Sequence, residues 1–278
     1  MRPLLVLGGT GRIGSALRAV WPTFPGGLRP VWQARDGRAG FLHWPILGAN
    51  CPDDAASGVI LCLAGGRADE LASNTDLARA TLAAARAQGG CHVFLASSAA
   101  VYAPGLGLDE DAATRPPSAY GAAKLAMETA AQAMANQPGA PGLTILRIGN
   151  VAGCDALLGG WRPGREVTLD LVPGQAGGPL RSYIGPASLG AVLAALVARA
   201  VAGAVLPRLL NIAAPHPVRM ADLLRAAGLP WHWGPPNPAV IPAVTLDTAR
   251  LQALVPLPPE ASLPETMVRE WRQVGGGA

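Results

Sequence analysis

The chain has 278 residues, half of them hydrophobic and 14% charged, with 35 glycines and 5% aromatics, whereas an average soluble domain carries about 25% charge. This balance excludes a disordered chain and leaves room for one large domain or a domain with an appendage. The net charge of +4, from 22 basic and 18 acidic residues, is scattered without a basic run, so no nucleic-acid partner is expected.

Met1-Arg2-Pro3 leads straight into Leu4–Leu7 and a glycine turn. That is too short for the apolar core of a secretory signal, and a cytoplasmic location is expected. Short, nearly uninterrupted apolar runs at Leu4–Leu7, Pro30–Ala34, Val59–Ala64, His92–Ser97 and Leu143–Arg147 read as strands buried on both faces. Phe41–His43 is a weaker candidate. Asp69–Gln88 and Tyr120–Asn136, rich in Ala, Leu and Arg, read as helices stopped by Gly89-Gly90 and Pro138-Gly139. The alternation predicts an α/β fold, a Rossmann-like, doubly wound parallel sheet, over residues 1–150.

Beyond Asn150 the chain is broken by prolines at 173–186, 207–217 and 230–242. It reads as a small, loop-rich substrate-binding portion, residues 151–278, interleaved with the sheet domain. Its predicted elements are a helix over Ala187–Ala202, a strand over Leu209–Ala213, a helix over Met220–Ala227, and helical pieces at Asp247–Leu254 and Pro264–Val274. The most lipid-like window, Leu189–Leu206, carries Arg199, and a span needs about 18 apolar residues. It reads as a buried helix, with no membrane partner.

Gly8, Gly11 and Gly14, with Thr10, Arg12 and Ile13 between them, follow the first strand and open a helical stretch. In that position one glycine permits a tight turn, one lets backbone approach a pyrophosphate, and one lets helix pack on strand. The end of the second strand, where an acid would select the ribose of NAD(H), reads Ala34-Arg35-Asp36. Arg35 comes first, and Arg12 is expected to join it around a 2′-phosphate, so NADP(H) is expected, with NAD(H) as the alternative.

Tyr120 and Lys124 stand four residues apart at the start of a helix, and a lysine beside a phenol is expected to lower the phenol's pKa. Ser97-Ser98 ends a strand at the rim where ligands of parallel sheets sit. Cys51, Cys62, Cys91 and Cys154 lack CxxC spacing, and His43, His92, His216 and His232 are isolated, so free thiols and no metal site are expected. Trp231-His232-Trp233 reads as loop packing, and Asp53-Asp54 and Asp109-Glu110-Asp111 as solvated loop charges.

In these motifs the sequence resembles the extended short-chain dehydrogenase/reductase family, the NAD-dependent epimerase/dehydratase group. The resemblance rests on the glycine loop, Leu61–Gly65, Asn74, Ser97–Tyr102, Tyr120-xxx-Lys124 with Glu128, Leu146–Val151, Arg181–Ile184 and Asn211–Ala213. It implies Tyr120 as acid/base, Lys124 on the nicotinamide ribose, and Ser98 on the substrate oxygen. It further implies Leu63, Ala64, Gly65 and Asn74 along the cofactor, and Asn150 and Arg181 toward the substrate.

There are departures. Ala99-Ala100 replace the Asp-Glu pair of the family's dehydratases, Gly185–Ser188 lack an expected acid, and Trp44-Pro45 replace the residues usual near the adenine. A late phosphate-binding motif is missing from Trp233–Asn237. The reading is therefore an oxidoreductase moving a hydride between nicotinamide and a carbinol or carbonyl carbon of a polar, sugar-like small molecule. The alternatives are a sugar or nucleotide-sugar epimerase with retained cofactor, and a non-catalytic NADP(H)-binding regulator. The Ala-rich faces of Asp69–Gln88 and Tyr120–Asn136 suggest a homodimer.

Overall fold

In the computed structural model the described residues are 4–21, 29–52, 58–66, 70–90, 92–175 and 177–275. The first half reads β1 (Leu4–Leu7), α1 (Arg12–Val20), β2 (Pro30–Ala34), β3 (Leu42–His43), β4 (Val59–Cys62), α2 (Ser73–Ala87), β5 (His92–Ser98), β6 (Gly105–Leu108), α3 (Ala119–Ala135) and β7 (Gly142–Ile148). There follow β8 (Asn150–Val151), β9 (Val167–Leu169), β10 (Leu180–Arg181), β11 (Tyr183–Ile184), α4 (Pro186–Val201), β12 (Leu209–Ile212), β13 (Val218–Arg219) and α5 (Met220–Ala227). The last elements are β14 (Trp231–Trp233), β15 (Ala243–Leu246), α6 (Ala249–Leu254) and α7 (Pro264–Gln273).

Seven strands form one parallel sheet in the order β12-β7-β5-β4-β1-β2-β3. Because side chains alternate across a strand, each run feeds two cores. Leu4, Val6, Val59, Leu61 and Phe94 pack on one face with Leu17 of α1 and Leu189 and Leu193 of α4. Leu5, Leu7, Ile60, Val93 and Leu95 pack on the other with Leu82 of α2 and Met127 of α3. Burial on both faces is why the strands read as unbroken apolar runs.

The weak candidate at Phe41–His43 is the edge strand β3. The helix predicted from Asp69 begins at Ser73, and its first predicted residue lies outside the described ones. The lipid-like window is α4, whose buried residues, Leu189, Val192, Leu193 and Leu196 among them, face protein. No helix among the described residues is long and apolar enough to cross a membrane.

The two halves of the chain exchange elements. α4 and β12, from beyond residue 150, complete the main sheet and its cover. β6, from the first half, closes a four-stranded sheet in the order β13-β10-β15-β6. A separate core joins α5 and α7 through Leu223, Leu224, Met267 and Trp271. Trp231–Trp233, expected as loop, is a strand paired with β9, and its two indoles meet edge to face.

His92 is buried at the start of β5, with Nε2 3.0 Å from Thr144 Oγ1. Burial lowers its pKa to about 4. The unfolded chain takes up this proton near pH 6.5 while the folded chain does not. Stability attached to neutral His92 is therefore complete above pH 6.5 and lost progressively as pH falls toward 4, by about 3 kcal/mol. Thermal unfolding at stepped pH should show that decline, and His92→Gln should flatten it.

Candidate active site and dinucleotide pocket

The strand order reverses between β1 and β4, which opens a crevice beyond the strand ends. β1 runs into Gly8, whose φ of +78° suits glycine. The Gly8 amide donates to Gln33 Oε1 at 2.9 Å, fixing the turn against β2. A Cβ on Gly14 would lie 2.3 Å from the Gly8 carbonyl oxygen, so only glycine lets α1 start this close to the strand. Gly11 is the N-cap of α1 and brings no side-chain cap. Ile13 packs against the main core, while Thr10 and Gly11 line the crevice. A glycine cradle at a helix start is the arrangement that accepts a dinucleotide pyrophosphate.

A cavity of about 570 Å³ continues from this turn past Arg35, Ile46, Leu47, Leu63, Ala64 and Glu70. Arg35 faces Glu70 at 3.8 Å, and both are largely exposed. Asp36 is held by Arg38, whose Nε donates to it at 2.7 Å, and that bond draws its carboxyl below the ordinary value. Trp44 is buried, and its indole N–H donates to Ala49 O at 2.9 Å. The apolar Ile46 and Leu47 therefore line the cavity in its stead. Gly65 and Gly66 follow β4. Asn74 braces them from within, accepting from the Gly66 amide at 3.2 Å and donating to Leu71 O at 2.8 Å.

Arg12 does not join Arg35. Its guanidinium donates to Asp155 O at 2.9 Å and acts on Tyr120 electrostatically, and it lines a different cavity from Arg35. The side chain following the middle glycine runs to Asp155, and glycine spacing alone does not report that direction.

Ser98 ends β5 and accepts from the Ala100 amide at 3.2 Å, while its neighbour Ser97 is spent on Glu128. Ser118 caps α3 by accepting from Gly121 at 3.1 Å, which sets Tyr120 in the first turn. Tyr120 is 42% exposed, and Lys124, one turn on, is 5% exposed. The lysine does not depress the phenol as expected. Crowding around the Tyr120 hydroxyl raises its pKa, and a hydrogen bond with Ser98 and the charge of Arg12 offset only part of the rise.

Lys124 instead turns inward, donating to Ala96 O at 3.0 Å and weakly to Met127 Sδ, with Gly65 alongside. Burial lowers its pKa, against the pull of Cys62 and Glu128. An ammonium has three donors, and this one has a single strong acceptor among the described residues.

Of the residues expected toward a substrate, Asn150 is half-buried near Tyr183, and Tyr183 donates to Asp155 Oδ2 at 2.7 Å. Arg181 is half-buried and spends its two terminal nitrogens on Leu180 O and Ile241 O, each at 2.8 Å. In the segment after Arg181, which lacks an acid of its own, Ser188 at the start of α4 meets Glu270 of α7, which accepts from its amide at 2.9 Å and from its hydroxyl at 2.7 Å. Only a tertiary contact reveals it. Cys51, Cys62 and Cys154 stand as thiols, and Cys91 lies outside the described residues. No cluster among the described residues could hold a metal ion.

Beneath the site runs a buried polar network. Arg147 of β7 grips Glu128 of α3 at 2.8 Å, and donates to Tyr102 Oη at 2.9 Å and Glu110 O at 3.1 Å. Tyr102 donates to Asn211 of β12 at 2.9 Å, and Glu110 accepts from the Asn211 amide at 2.9 Å. Glu110, expected as a solvated loop charge, is thus buried, with Arg250 3.5 Å away. Its neighbour Asp111 is exposed and meets the same arginine.

Residues 57–158 match the family described as NAD dependent epimerase/dehydratase. No curated protein matches the chain. The UDP-glucose 4-epimerase of Brucella ovis, solved in complex with NAD, superposes with a TM-score of 0.79 at 20% identity, over 99% of each chain. TunA, an NAD dependent NDP-hexosamine 5,6-dehydratase of tunicamycin biosynthesis, gives 0.77 at 22% identity over 98% of each chain. MoeE5, solved with UDP-glucuronic acid and NAD, gives 0.77 at 21% identity over 98% of this chain and 99% of its own. The fold resemblance read from the motifs therefore extends along essentially the whole chain.

Glu128→Gln should strand a buried guanidinium and cost about 3–5 kcal/mol. Asp222→Asn, at the exposed Arg225 pair, should cost under about 1 kcal/mol. Denaturant unfolding separates the two.

Proposed function

We propose that this chain, which has the Rossmann-like fold of the epimerases and dehydratases and matches their family over residues 57–158, is an NAD(P)-dependent enzyme of the extended short-chain dehydrogenase/reductase type. It moves a hydride between nicotinamide and a carbinol or carbonyl carbon of a polar, sugar-like small molecule. The observation that carries this is the meeting of three residues: Ser98 at the end of β5, Tyr120 in the first turn of α3, and Lys124 one turn on, buried with its ammonium beside Gly65.

A bound nicotinamide supplies or accepts the hydride. Tyr120 gives or takes the proton at the reacting oxygen as the hydride moves, so that no isolated oxyanion accumulates. Ser98 holds that oxygen by hydrogen bonding. Lys124 turns its unfilled donors to the ribose, and Gly8, Gly11 and Gly14 admit the pyrophosphate. A phenol of ordinary pKa is protonated at neutral pH, so Tyr120 can serve as the acid in the reducing direction.

Arg35 faces the ribose end of the cavity while Arg38 draws Asp36 away, which favours NADP(H). A second reading, epimerisation on a retained cofactor, is favoured by the nucleotide-sugar epimerases among the similar structures. Dehydration has less support, because Ala99 and Ala100 follow Ser98 without a titratable group. We also infer a cytoplasmic homodimer formed through the outer faces of α2 and α3, where Ala83, Ala122 and Ala126 are exposed.

Tyr120→Phe should abolish turnover of carbonyl or nucleotide-sugar substrates while dinucleotide binding persists. Unchanged activity in that variant would sink the mechanism. In a thermal-shift comparison NADPH should raise the melting temperature more than NADH does, since a ligand stabilises the state it binds.

A further inference from the structure

We propose that Glu70 is a specificity-determining residue for the cofactor, set against Arg35 so that it weakens discrimination in favour of a 2′-phosphate. This rests on the dinucleotide reading of the same cavity. Among the described residues lining that cavity, Arg35 and Glu70 are its one base and its one acid. They face each other at 3.8 Å, from the end of β2 and from the loop before α2. Asp36, the acid nearest in sequence to Arg35, is occupied by Arg38.

Glu70 does not owe its position to this ion pair. Its carbonyl oxygen accepts from the Ser73 amide at 3.0 Å and from the Ser73 hydroxyl at 2.7 Å, at the start of α2. The same oxygen is packed so tightly on Gly66 that a Cβ there would fall 2.0 Å away. The backbone of Glu70 is thus pinned from two sides, and its carboxylate projects from a fixed point.

The side chains of Arg35 and Glu70 are 74% and 50% exposed, so their pairing is weak and easily exchanged. A 2′-phosphate must draw Arg35 from this carboxylate and then sit near a like charge. An unphosphorylated ribose meets neither demand. The carboxylate therefore selects by penalising one cofactor rather than by holding the other.

The test is calorimetric binding of NADP+ and NAD+ to the full chain, at low and high salt, for wild type, Glu70→Gln, Arg35→Gln and the double variant. Glu70→Gln should tighten NADP+ about two- to fivefold at low salt, leave NAD+ unchanged, and lose most of that gain at high salt. Arg35→Gln should weaken NADP+ by about tenfold or more and spare NAD+. In its background Glu70→Gln should gain less than it does alone. An unmoved NADP+ to NAD+ ratio in Glu70→Gln, or equal shifts for both cofactors, overturns the role of Glu70 while leaving the dinucleotide reading intact. If neither cofactor binds the wild type, both fall together.

Discussion

The buried pair Arg147–Glu128 is the constraint around which the site is assembled. Removing two charges from water costs several kcal/mol per ion, recovered only when every donor and acceptor finds a partner. Here the network draws five residues from four stretches of the chain: Ser97 on β5, Tyr102 and Glu110 in the segment before α3, Asn211 on β12, and Glu128 on α3 itself. Satisfying Arg147 thus fixes the loop that delivers Tyr120, the strand that ends in Ser98, and the helix that carries Lys124. The hydroxyls of Ser98 and Tyr120 lie above a layer that admits little rearrangement.

The site's electrostatics also differ from a reading of helical spacing. Tyr120 and Lys124 occupy one face by position, yet one side chain stands at the rim and the other runs inward to Ala96 O. The local cation acting on the phenol is Arg12, borrowed from the glycine turn. The phenol's pKa is raised rather than lowered, while the lysine is buried beneath it against Ala96 O.

Much of this was legible along the chain. Strands covered on both faces announce themselves as unbroken apolar runs, and Gly8 and Gly14 stand where backbone atoms leave no room for a Cβ. What could not be read depended on partners distant in sequence. Glu110 looks like one of three loop acids until Asn211 meets it, and Glu270 looks like a surface residue of a terminal helix until Ser188 does. Arg12 was misdirected because a glycine pattern specifies backbone path, not the heading of a side chain. The strands β8–β11 and β13–β15, two to four residues each, carry too few side chains to show a period.

The Asn211 amide held by Glu110 belongs to β12, the last strand of the main sheet. β7 takes up the backbone groups of Arg208 and Ile212 on its own side, so the amide between them faces outward. An outward row of amides is a template on which a foreign strand can add and aggregation can begin. At this edge the central amide is already bonded to a buried carboxylate, and at the opposite edge the sheet closes with two residues of β3. The carboxylate that anchors the loop near Tyr120 thus also shields the sheet from edge-to-edge association.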